Sequence, residues 1–400
     1  MSKRYSIFVT ILFCAFLGAF GALHWIVPDR EFSEIENRTL QRLPVPVFYR
    51  DGKFLEPTAA RGEAAFFNGD FMSDFETYYT DQFPARDTLI TVKAASELAV
   101  GKTYNDKVYS GADGTLFAEV NAPKEGEVET RVSYVDALAG HVDVPVYFSL
   151  VPDKLNIIGE RLSDPPLAAL FNRGEPLALS TNYLGGDLWE RAAKTSANWV
   201  DLMPSFRAHA GEELFYRTDH HWTSLGAYYA YSELMTAMGQ TPVPLGELEK
   251  TTVSAEFYGT TRSSSGAGWV APDAIDAYVS DEGVTVMLYR DGMDGEPWSL
   301  YHPEQLKVKD KYAYFMGGNQ PLYVIGKDNG GPKVLVIRDS YSDSLAPFLT
   351  LNCSEVHLFD PRYNRSNIPA YVEAHDIDAV VVLYSMSNFI TDGNLFILGI

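Results

Sequence analysis

The sequence predicts an α/β protein built on a parallel sheet, and three observations support this fold class. Toward the carboxyl terminus, short apolar runs at 334–337, 356–359 and 379–383 alternate with helical stretches. An earlier apolar run at 144–151 ends at a Pro-Asp-Lys turn, as expected of a buried strand that leads into a loop. The composition, 46% hydrophobic and 21% charged, is that of a chain able to bury a core. Strands that alternate with helices imply a parallel sheet.

Hydrophobic spacing predicts the other elements in chain order. Phe71, Phe75 and Tyr78 recur at helical spacing in a predicted helix that also includes Phe66 and Phe67. The predicted helices cover 59–81, 88–100, 183–197, 223–239, a stretch that ends near 351, and 368–375. The predicted β elements are a hairpin at 109–117, a strand at 199–202, and an irregular β insertion at about 251–324, a region rich in Gly, Ser and Tyr.

The amino-terminal segment predicts a membrane anchor. Lys3 and Arg4 precede an uncharged stretch, 6–27, that would span roughly 33 Å as a helix rising about 1.5 Å per residue. That length is enough to cross a bilayer. The positive charge before it places the amino terminus in the cytoplasm and the body of the protein outside. A cleaved signal peptide, with small residues at 19–22, is the alternative.

The domain organisation follows from this anchor and from the α/β pattern. The chain has 400 residues, more than one compact core usually needs, so one large domain with additions is expected. We predict a signal anchor at 1–28, a juxtamembrane linker at 29–58 marked by Pro44 and Pro46, and an α/β domain at 59–400 that carries the insertion.

The charge balance excludes one class of partner. The net charge is −21, from 32 Lys and Arg against 53 Asp and Glu, which repels phosphate backbones. We therefore expect no nucleic-acid partner. Cys14 lies in the apolar segment and Cys353 stands alone in the rest, so no disulfide is expected within the soluble part. An exported protein without disulfides suggests a bacterial exterior.

The first motif with chemistry is Asp-His-His-Trp at 219–222, which precedes a predicted helix. We predict that Asp219 and His221 act as orienting carboxylate and general base. A carboxylate beside an imidazole fixes the tautomer of the ring and stabilises the imidazolium that forms during proton transfer.

Two other interpretations of this motif stay open. Asp219 and Thr223 are suitable helix caps, with the histidines as polar residues that have satisfied hydrogen bonds. His220 and His221 are also a candidate zinc pair. Adjacent side chains point in different directions, and the sequence offers no cysteine cluster or spaced histidine partner, so the metal site ranks last.

The second motif is Arg338-Asp339-Ser340, which follows the apolar run at 334–337 and opens a predicted helix. This position exposes a hydroxyl at the carboxyl end of a sheet, where open α/β folds place their sites. Ser340 is therefore the predicted nucleophile. A serine at such a turn is often just a helix cap, but Ser342 or Asp339 could fill that role instead. Together the two motifs supply a nucleophile, a base and an orienting carboxylate.

At these residues the sequence resembles the DHHW family of exported bacterial proteins. That family is related to the SGNH-hydrolase-like proteins of alginate O-acetylation, whose signature is Asp-x-His-Trp with a distant serine. Looser matches to these families run along most of the chain. They lie at 37–40, 75–79, 81–86, 111–117, 152–154 and 360–363.

The resemblance implies an SGNH-hydrolase-like (flavodoxin-like) parallel sheet in permuted order, with helices on both faces and a β-rich insertion. It assigns Asp219 and His221 as the acid–base pair and Ser340 as the nucleophile. SGNH enzymes begin this turn with Gly-Asp-Ser, whereas this chain has an arginine in the place of the glycine. The residues predicted to line the site are Trp222, His220, Arg338 and Tyr341.

The oxyanion hole is the least defined part of the predicted site. Gly318 and Asn319 are the candidates, because an amide side chain on a glycine turn is a suitable hydrogen-bond donor. A simple turn asparagine is the other interpretation. We expect no cofactor and no metal ion.

The function that the resemblance implies is transfer of acetyl groups to an exported or cell-surface polysaccharide. It also implies a membrane-bound O-acyltransferase partner that supplies acetyl groups, because acetyl-CoA is absent outside the cell. Two alternatives stay open: an acetylesterase on the same scaffold, and a non-catalytic polysaccharide-binding assembly subunit. The expected location is the cell membrane, with a single span and an extracytoplasmic carboxyl-terminal domain.

Overall fold

The computed structural model describes residues 3–47, 63–65, 69–120, 123–163, 188–290 and 294–400. The α-helices are α1 (Lys3–Ile26), α2 (Asp70–Asp81), α3 (Arg86–Ala99), α4 (Glu127–His141), α5 (Lys154–Ile158), α6 (Leu188–Ala192), α7 (Met203–Ala208), α8 (Ser224–Ala237), α9 (Thr260–Ser265), α10 (Ser342–Leu349), α11 (Ile368–Ala374) and α12 (Met386–Thr391). The short 3₁₀-helices are Ala112–Gly114, Gly159–Arg161, Leu245–Glu247, Pro303–Lys307, Lys311–Tyr314 and Leu395–Gly399.

The strands form one large sheet and several small ones. In chain order they are β1 (Phe32–Ser33), β2 (Arg38–Thr39), β3 (Val45–Val47), β4 (Glu63–Ala65), β5 (Tyr104–Asn105), β6 (Val108–Ser110), β7 (Leu116–Ala118), β8 (Val146–Val151), β9 (Asn198–Trp199), β10 (Thr251–Phe257), β11 (Asp273–Ala277), β12 (Val284–Tyr289), β13 (Glu296–Trp298), β14 (Leu322–Lys327), β15 (Lys333–Arg338), β16 (Glu355–Phe359) and β17 (Ala379–Ser385). The large sheet has eight strands in the order β13-β12-β14-β16-β15-β17-β8-β9.

Five neighbouring strands of this sheet, from β16 to β9, run parallel, with β15 between β16 and β17. They include the apolar runs that predicted strands, so the predicted parallel sheet is confirmed. The residues of β15 alternate between two cores, as the two-residue period of a strand requires. Val334 and Val336 belong to the core that includes residues of α8 and α10, and Leu335 and Ile337 to the core that includes residues of α4 and α11. Helices therefore cover both faces.

The region predicted as an irregular insertion instead contributes to the large sheet. Strands β12, β13 and β14 extend the parallel part on its β16 edge, and each pairs antiparallel with its neighbour. The predicted boundary near residue 324 falls inside β14. The other two strands of the region, β10 and β11, form a separate antiparallel pair with irregular register. Because the pairing is antiparallel, no crossover helices join these strands, and the sequence pattern lacked the α/β rhythm that marks the rest of the sheet.

Most predicted local elements are confirmed with shorter bounds. The hairpin forms between β6 and β7, where Tyr109 pairs with Phe117. The helix predicted at 223–239 is α8, which Thr223 caps by accepting a hydrogen bond from Gly226 N at 3.3 Å. In the helix predicted at 59–81, α2 covers the second half. Residues 63–65 form strand β4 instead, while 59–62 and 66–68, which include two of the predicted phenylalanines, lie outside the described residues. Residues 183–187 of another predicted helix and 48–58 of the predicted linker also lie outside them.

By their contacts, the described residues group into two compact units. Unit 1 contains Met1–Lys102 and Arg262–Trp269, and unit 2 contains Thr103–Thr261 and Val270–Ile400. The predicted domain start at residue 59 lies outside the described residues. In unit 1, α1 has 24 residues and is long and apolar enough to cross a membrane. Unit 2 contains the large sheet.

The centre of the large sheet is expected to tolerate little loss of volume. Val336 is 1% exposed, whereas Val308, outside the large sheet but also in unit 2, is 50% exposed. We predict that Val336→Ala lowers the free energy of unfolding by about 2 kcal/mol, through lost burial and the remaining cavity. The same change at Val308 should stay within about 0.5 kcal/mol. Denaturant titration of both variants tests this, and equal effects would contradict the assignment of Val336 to the core.

Candidate active site

The turn after β15 places Ser340 at the carboxyl edge of the parallel sheet. Strand β15 ends at Arg338, Ser340 is half-buried in the turn, and α10 begins at Ser342. The buried Asp339 carboxylate holds the turn in place: one oxygen accepts from Tyr341 N at 3.1 Å, and the other accepts from Ser385 N at 2.9 Å and Ser385 Oγ at 2.7 Å. The end of β17 and the turn after β15 are thus joined through one buried side chain.

A tight reversal of the chain before α8 carries Asp219 and His221. Tyr216 N donates to the carbonyl of His221 at 3.2 Å, and Phe215 pairs with Trp222 in an isolated bridge. The fully buried indole of Trp222 donates from Nε1 to the carbonyl of Tyr341 at 2.9 Å, and lies 2.9 Å from Ser344 Oγ. Trp222 therefore fixes this reversal against the start of α10. Because His221 directly precedes Trp222, the fixed backbone of Trp222 also limits the directions in which the His221 side chain can point.

The structure brings the three predicted residues together in one chain of hydrogen bonds. His221 Nδ1 lies 2.6 Å from Asp219 Oδ1, and His221 Nε2 lies 2.8 Å from Ser340 Oγ. A carboxylate can only accept, so the network assigns the imidazole proton to Nδ1 and leaves Nε2 to accept from the serine hydroxyl. This is the arrangement in which an imidazole can take a proton from a nucleophile.

Asp219 is buried and held as an anion. Burial alone would raise the pKa of Asp219, but the two adjacent histidines and its hydrogen bonds outweigh burial and hold that pKa well below its ordinary value. The second carboxylate oxygen accepts from Thr260 N at 2.7 Å and Thr260 Oγ1 at 2.9 Å. Gly259 permits this approach, because a Cβ there would lie 2.2 Å from Asp219 Cβ. Gly259 and Thr260 were not among the predicted site residues, and nothing in their sequence context distinguishes them from other turn residues.

Aromatic rings flank the imidazole. The ring of Tyr312 stacks on His221 with centroids 3.9 Å apart and planes 12° apart, and its hydroxyl donates to the carbonyl of Ser340 at 3.1 Å. Tyr341 is one of the predicted lining residues, and the centroid of its ring lies 4.9 Å from that of His221. The Tyr341 hydroxyl donates to the carbonyl of His220 at 2.5 Å. Tyr312 was not among the predicted site residues, because Tyr312 lies in a segment without a regular hydrophobic period.

Two buried charged residues follow β8 at the same edge of the sheet. Lys154 Nζ donates to the carbonyls of Asp219 and Leu116, both at 2.8 Å, and burial lowers the pKa of Lys154 to about 8. Burial raises the pKa of Asp153 to about 7, and its Oδ1 accepts from Ser387 Oγ at 3.0 Å. The sequence indicated a Pro-Asp-Lys turn after a buried strand and a match to the related families at 152–154. Neither observation predicted that Asp153 or Lys154 lies near the candidate site.

Arg338 is fully buried and does not face solvent. Its Nη1 lies 2.8 Å from Asp343 Oδ1 and 3.1 Å from Asn319 Oδ1. Asn319 Oδ1 also accepts from Arg362 Nη2 at 3.1 Å, so two guanidinium groups orient this exposed side chain. The carbonyl of Gly318 accepts a hydrogen bond from Tyr323. Neither Gly318 nor Asn319 forms a hydrogen bond with Ser340 in the described part of the chain. The oxyanion role of Gly318 and Asn319 therefore stays a prediction.

The same motif contains the ligand atoms that the zinc interpretation requires. Within the described part of the chain, Asp219, His220 and His221 offer atoms that lie within 4.8 Å of one another. Hydrogen bonds to protein groups already engage both oxygens of Asp219 and both ring nitrogens of His221. His220 Nδ1 lies 2.8 Å from Thr260 Oγ1. The candidate ligand atoms therefore already form hydrogen bonds with one another, with Thr260 and with Ser340.

Comparisons with known proteins place the chain next to two described families. A model of DHHW proteins matches residues 194–359, and a model of the SGNH hydrolase-like domain of acetyltransferase AlgX matches residues 108–268. The probable alginate O-acetylase AlgJ of Pseudomonas aeruginosa is 26% identical over 176 residues, which are 42% of this chain and 42% of that protein. AlgJ of Pseudomonas syringae pv. tomato is 25% identical over 201 residues, 47% of this chain and 48% of that protein. The chain thus spans less than half the length of these curated relatives.

Two solved structures share the fold. A DHHW family protein from Eubacterium siraeum has a TM-score of 0.60 at 22% identity, over 74% of this chain and 95% of that one. PatB1 of Bacillus cereus, solved with a sulfonyl adduct, has a TM-score of 0.57 at 17% identity, over 72% of this chain and 98% of that one.

The fold and the matched stretch make the chain similar to SGNH-hydrolase-like α/β proteins. It is also similar to the DHHW proteins, and the motif at 219–222 lies inside the stretch that the DHHW model matches. The resemblance drawn from the sequence is confirmed. Curated relatives at modest identity are probable alginate O-acetylases.

The close approach at Gly259 is expected to be essential for the position of Asp219. We predict that Gly259→Ala displaces the carboxylate and weakens its bond to His221, because the added methyl group has no room. The low-field NMR resonance of the imidazole Nδ1 proton should shift or disappear. Gly246→Ala, where a Cβ meets nothing within 4 Å, is the matched control. An unchanged resonance in Gly259→Ala would contradict the prediction.

Asp153 is expected to make stability depend on pH. Burial raises the pKa of Asp153 from 3.8 to about 7, so between these values the folded state binds more protons than the unfolded state, and stability falls as pH rises. Asp153→Asn removes this penalty. Its stability relative to the parent protein should therefore grow by about 2 kcal/mol between roughly pH 5 and pH 8.

Denaturant titrations at several pH values measure this difference. Asp143→Asn, at an exposed position, provides the matched control and should show no such growth. A difference between Asp153→Asn and the parent that stays constant with pH would contradict the raised pKa of Asp153.

Proposed function

We propose that this protein is a membrane-anchored, extracytoplasmic O-acetyltransferase that acts on a polysaccharide through Ser340, His221 and Asp219. The observation that carries the proposal is the chain of hydrogen bonds from Asp219 through His221 to Ser340, with lengths of 2.6 and 2.8 Å. These three side chains come from two parts of the sequence and meet at the carboxyl edge of a parallel sheet, where α/β folds place their sites.

In the first half of the reaction, Ser340 Oγ attacks the carbonyl carbon of an acetyl ester. Its proton passes to His221 Nε2, and Asp219 stabilises the resulting imidazolium. The bond between the carbonyl carbon and the oxygen of the donor then breaks. His221 returns the proton to that oxygen, and the donor leaves as an alcohol while the acetyl group stays on Ser340.

The second half repeats these steps with a sugar hydroxyl. His221 takes the proton of the hydroxyl, the sugar oxygen attacks the acetyl carbon, and the proton returns to Ser340 Oγ as the ester bond to serine breaks. Water competes with the sugar for the same step, so transfer requires that the acceptor is bound and water is excluded. Asn319, oriented by Arg338 and Arg362, is our candidate donor to the oxyanion.

The amino-terminal helix supports the proposed location. Helix α1 can cross a bilayer, and the charges around it orient the rest of the chain outward. In this proposal, residues 1–28 are the anchor, 29–58 the linker, and the α/β domain follows. A membrane-bound O-acyltransferase would supply the acetyl groups. The similarity to probable alginate O-acetylases supports the same chemistry on a polysaccharide.

The nucleophile can be tested with a small activated ester. We predict that Ser340→Ala lowers kcat/KM for acetate release from 4-nitrophenyl acetate by about 10³-fold, because the covalent route is lost. His221→Ala should lose a similar amount. Ser133→Ala, an exposed serine of unit 2, provides the control and should retain full activity.

Intact-mass spectrometry should show an acetyl group on the parent protein that is absent in Ser340→Ala. Incubation with cellohexaose or hexagalacturonate then distinguishes transfer from hydrolysis, since acetyl groups on the sugar require transfer. Acetate as the sole product would favour the acetylesterase. Full acetate release by a folded Ser340→Ala protein would overturn the proposal.

A further inference from the structure

A cavity lies in unit 2, on the antiparallel extension of the large sheet. Its volume is about 960 Å³, near the upper end of the range of about 300–1,000 Å³ that is usual for ligand sites. Leu322 and Val324 of β14 and His357 of β16 line its floor, and the loop that follows β16 lines its side. The proposed reaction uses none of these residues.

The register of the sheet brings one end of this cavity to the edge at which β15 ends. Ile337, Phe359, Leu322 and Tyr289 pair in one row across β15, β16, β14 and β12. Ser340 follows Ile337 by three positions, while Leu322 and Tyr289 line the cavity. Because adjacent strands lie about 4.8 Å apart, Leu322 and Tyr289 lie roughly 10 and 14 Å from Ile337 along this row.

Aromatic rings line the cavity. Tyr363 is 55% exposed, and Tyr289 and Tyr371 are half-buried. Such rings offer flat apolar faces to the C–H groups of sugar rings and polar edges to their hydroxyls. The Tyr371 hydroxyl lies 2.6 Å from His357 Nδ1, which fixes its orientation. An exposed tyrosine at the mouth of a cavity is a suitable platform for a carbohydrate.

Two arginines, Arg290 and Arg365, line the cavity. Arg290 Nε lies 2.7 Å from Glu296 and its Nη1 donates to Gln320 at 2.6 Å, while Arg365 Nη1 donates to the carbonyl of Pro361 at 2.7 Å. These bonds hold both guanidinium groups at the lining. Among the lining residues, all of which the structure describes, Glu355 is the acidic one.

The charge of Glu355 is itself engaged. Its Oε1 lies 2.8 Å from His357 Nε2 and 3.8 Å from Lys333 Nζ. Arg290 is ion-paired with Glu296, whereas the hydrogen bonds of Arg365 go to the neutral groups Pro361 O and Asn394 Oδ1. In a protein of net charge −21, the guanidinium group of Arg365 therefore offers a local site for an anion. Arginine binds carboxylates in a planar, bidentate geometry.

We propose that this cavity binds a run of acidic sugar rings of the acceptor polysaccharide and holds the chain next to Ser340. Tyr363 stacks on a ring, and Arg290 and Arg365 bind its carboxylates. The role as an acceptor subsite rests on the proposed function, whereas the binding itself does not. A polymer that is bound two or three strands away from β15 would present its hydroxyls to the acyl-enzyme at a raised local concentration.

Binding of hexagalacturonate to the full chain in detergent micelles, followed by isothermal titration calorimetry, tests the proposal. The fully methyl-esterified hexamer is the matched probe without charge. We expect the ester to bind about tenfold more weakly than the acid, and Tyr363→Ala and Arg290→Gln each to weaken binding of the acid about tenfold. Binding should also weaken as salt is raised. Arg42→Gln, at an exposed arginine of unit 1 paired with Glu31, is the control and should bind like the parent.

The outcomes separate this proposal from the proposed function. Ser340→Ala should bind the hexamer normally, and Tyr363→Ala should release acetate from 4-nitrophenyl acetate at the parental rate while it transfers less acetyl to the hexamer. Parental binding by both Tyr363→Ala and Arg290→Gln, equal binding of acid and ester, or no binding of the acid would each overturn the subsite. Loss of ester cleavage with intact binding would count against the reaction alone.

Discussion

The indole of Trp222 is the contact on which the candidate site depends. His221 and Ser340 are 119 positions apart, so their hydrogen bond requires that two distant segments keep a fixed separation. Trp222 joins them, since its Nε1 donates to the carbonyl of Tyr341 and lies beside Ser344 Oγ. A buried N–H without a partner would cost free energy, so the indole is satisfied only when the segments meet in this way. The residues on either side of the contact, His221 and Ser340, are thereby aligned.

Around this contact, buried charges are arranged in compensated groups. Asp219 accepts from Thr260 and lies beside two histidines, and Lys154 donates to the carbonyl of Asp219. Burying an isolated charge is costly, whereas a charge that accepts or donates several hydrogen bonds can persist in the interior. Asp153 differs from Asp219: burial raises its pKa to about 7, and its Oδ2 has no partner among the described residues. Of the two, the buried carboxylate that stays charged is therefore that of Asp219, which orients His221.

The sequence predicted the parallel part of the fold because each of its strands is buried on both faces and reads as an apolar run. It also predicted that Asp219, His221 and Ser340 share a site, and hydrogen bonds connect these three side chains in the structure; their catalytic role stays a prediction. It did not predict β12, β13 and β14 as part of the large sheet, because their pairing depends on contacts between distant segments. Gly259 and Tyr312 were missed for the same reason. Their importance comes from a close approach to Asp219 and a ring stacked on His221, and neither leaves a local pattern.

The antiparallel extension gives this sheet a second role beyond positioning a serine. An SGNH-like site needs the carboxyl ends of the parallel strands, and β15, β17 and β8 already supply them. Strands β14 and β12 widen the same edge and form the floor and rim of a cavity that contains tyrosines and arginines. An acetylesterase would use such a surface to bind its acetylated polymer before the acyl-enzyme forms, and would then need only water. The proposed transfer needs an acceptor held in place for the lifetime of the intermediate, so the same surface would serve the second half of the proposed reaction.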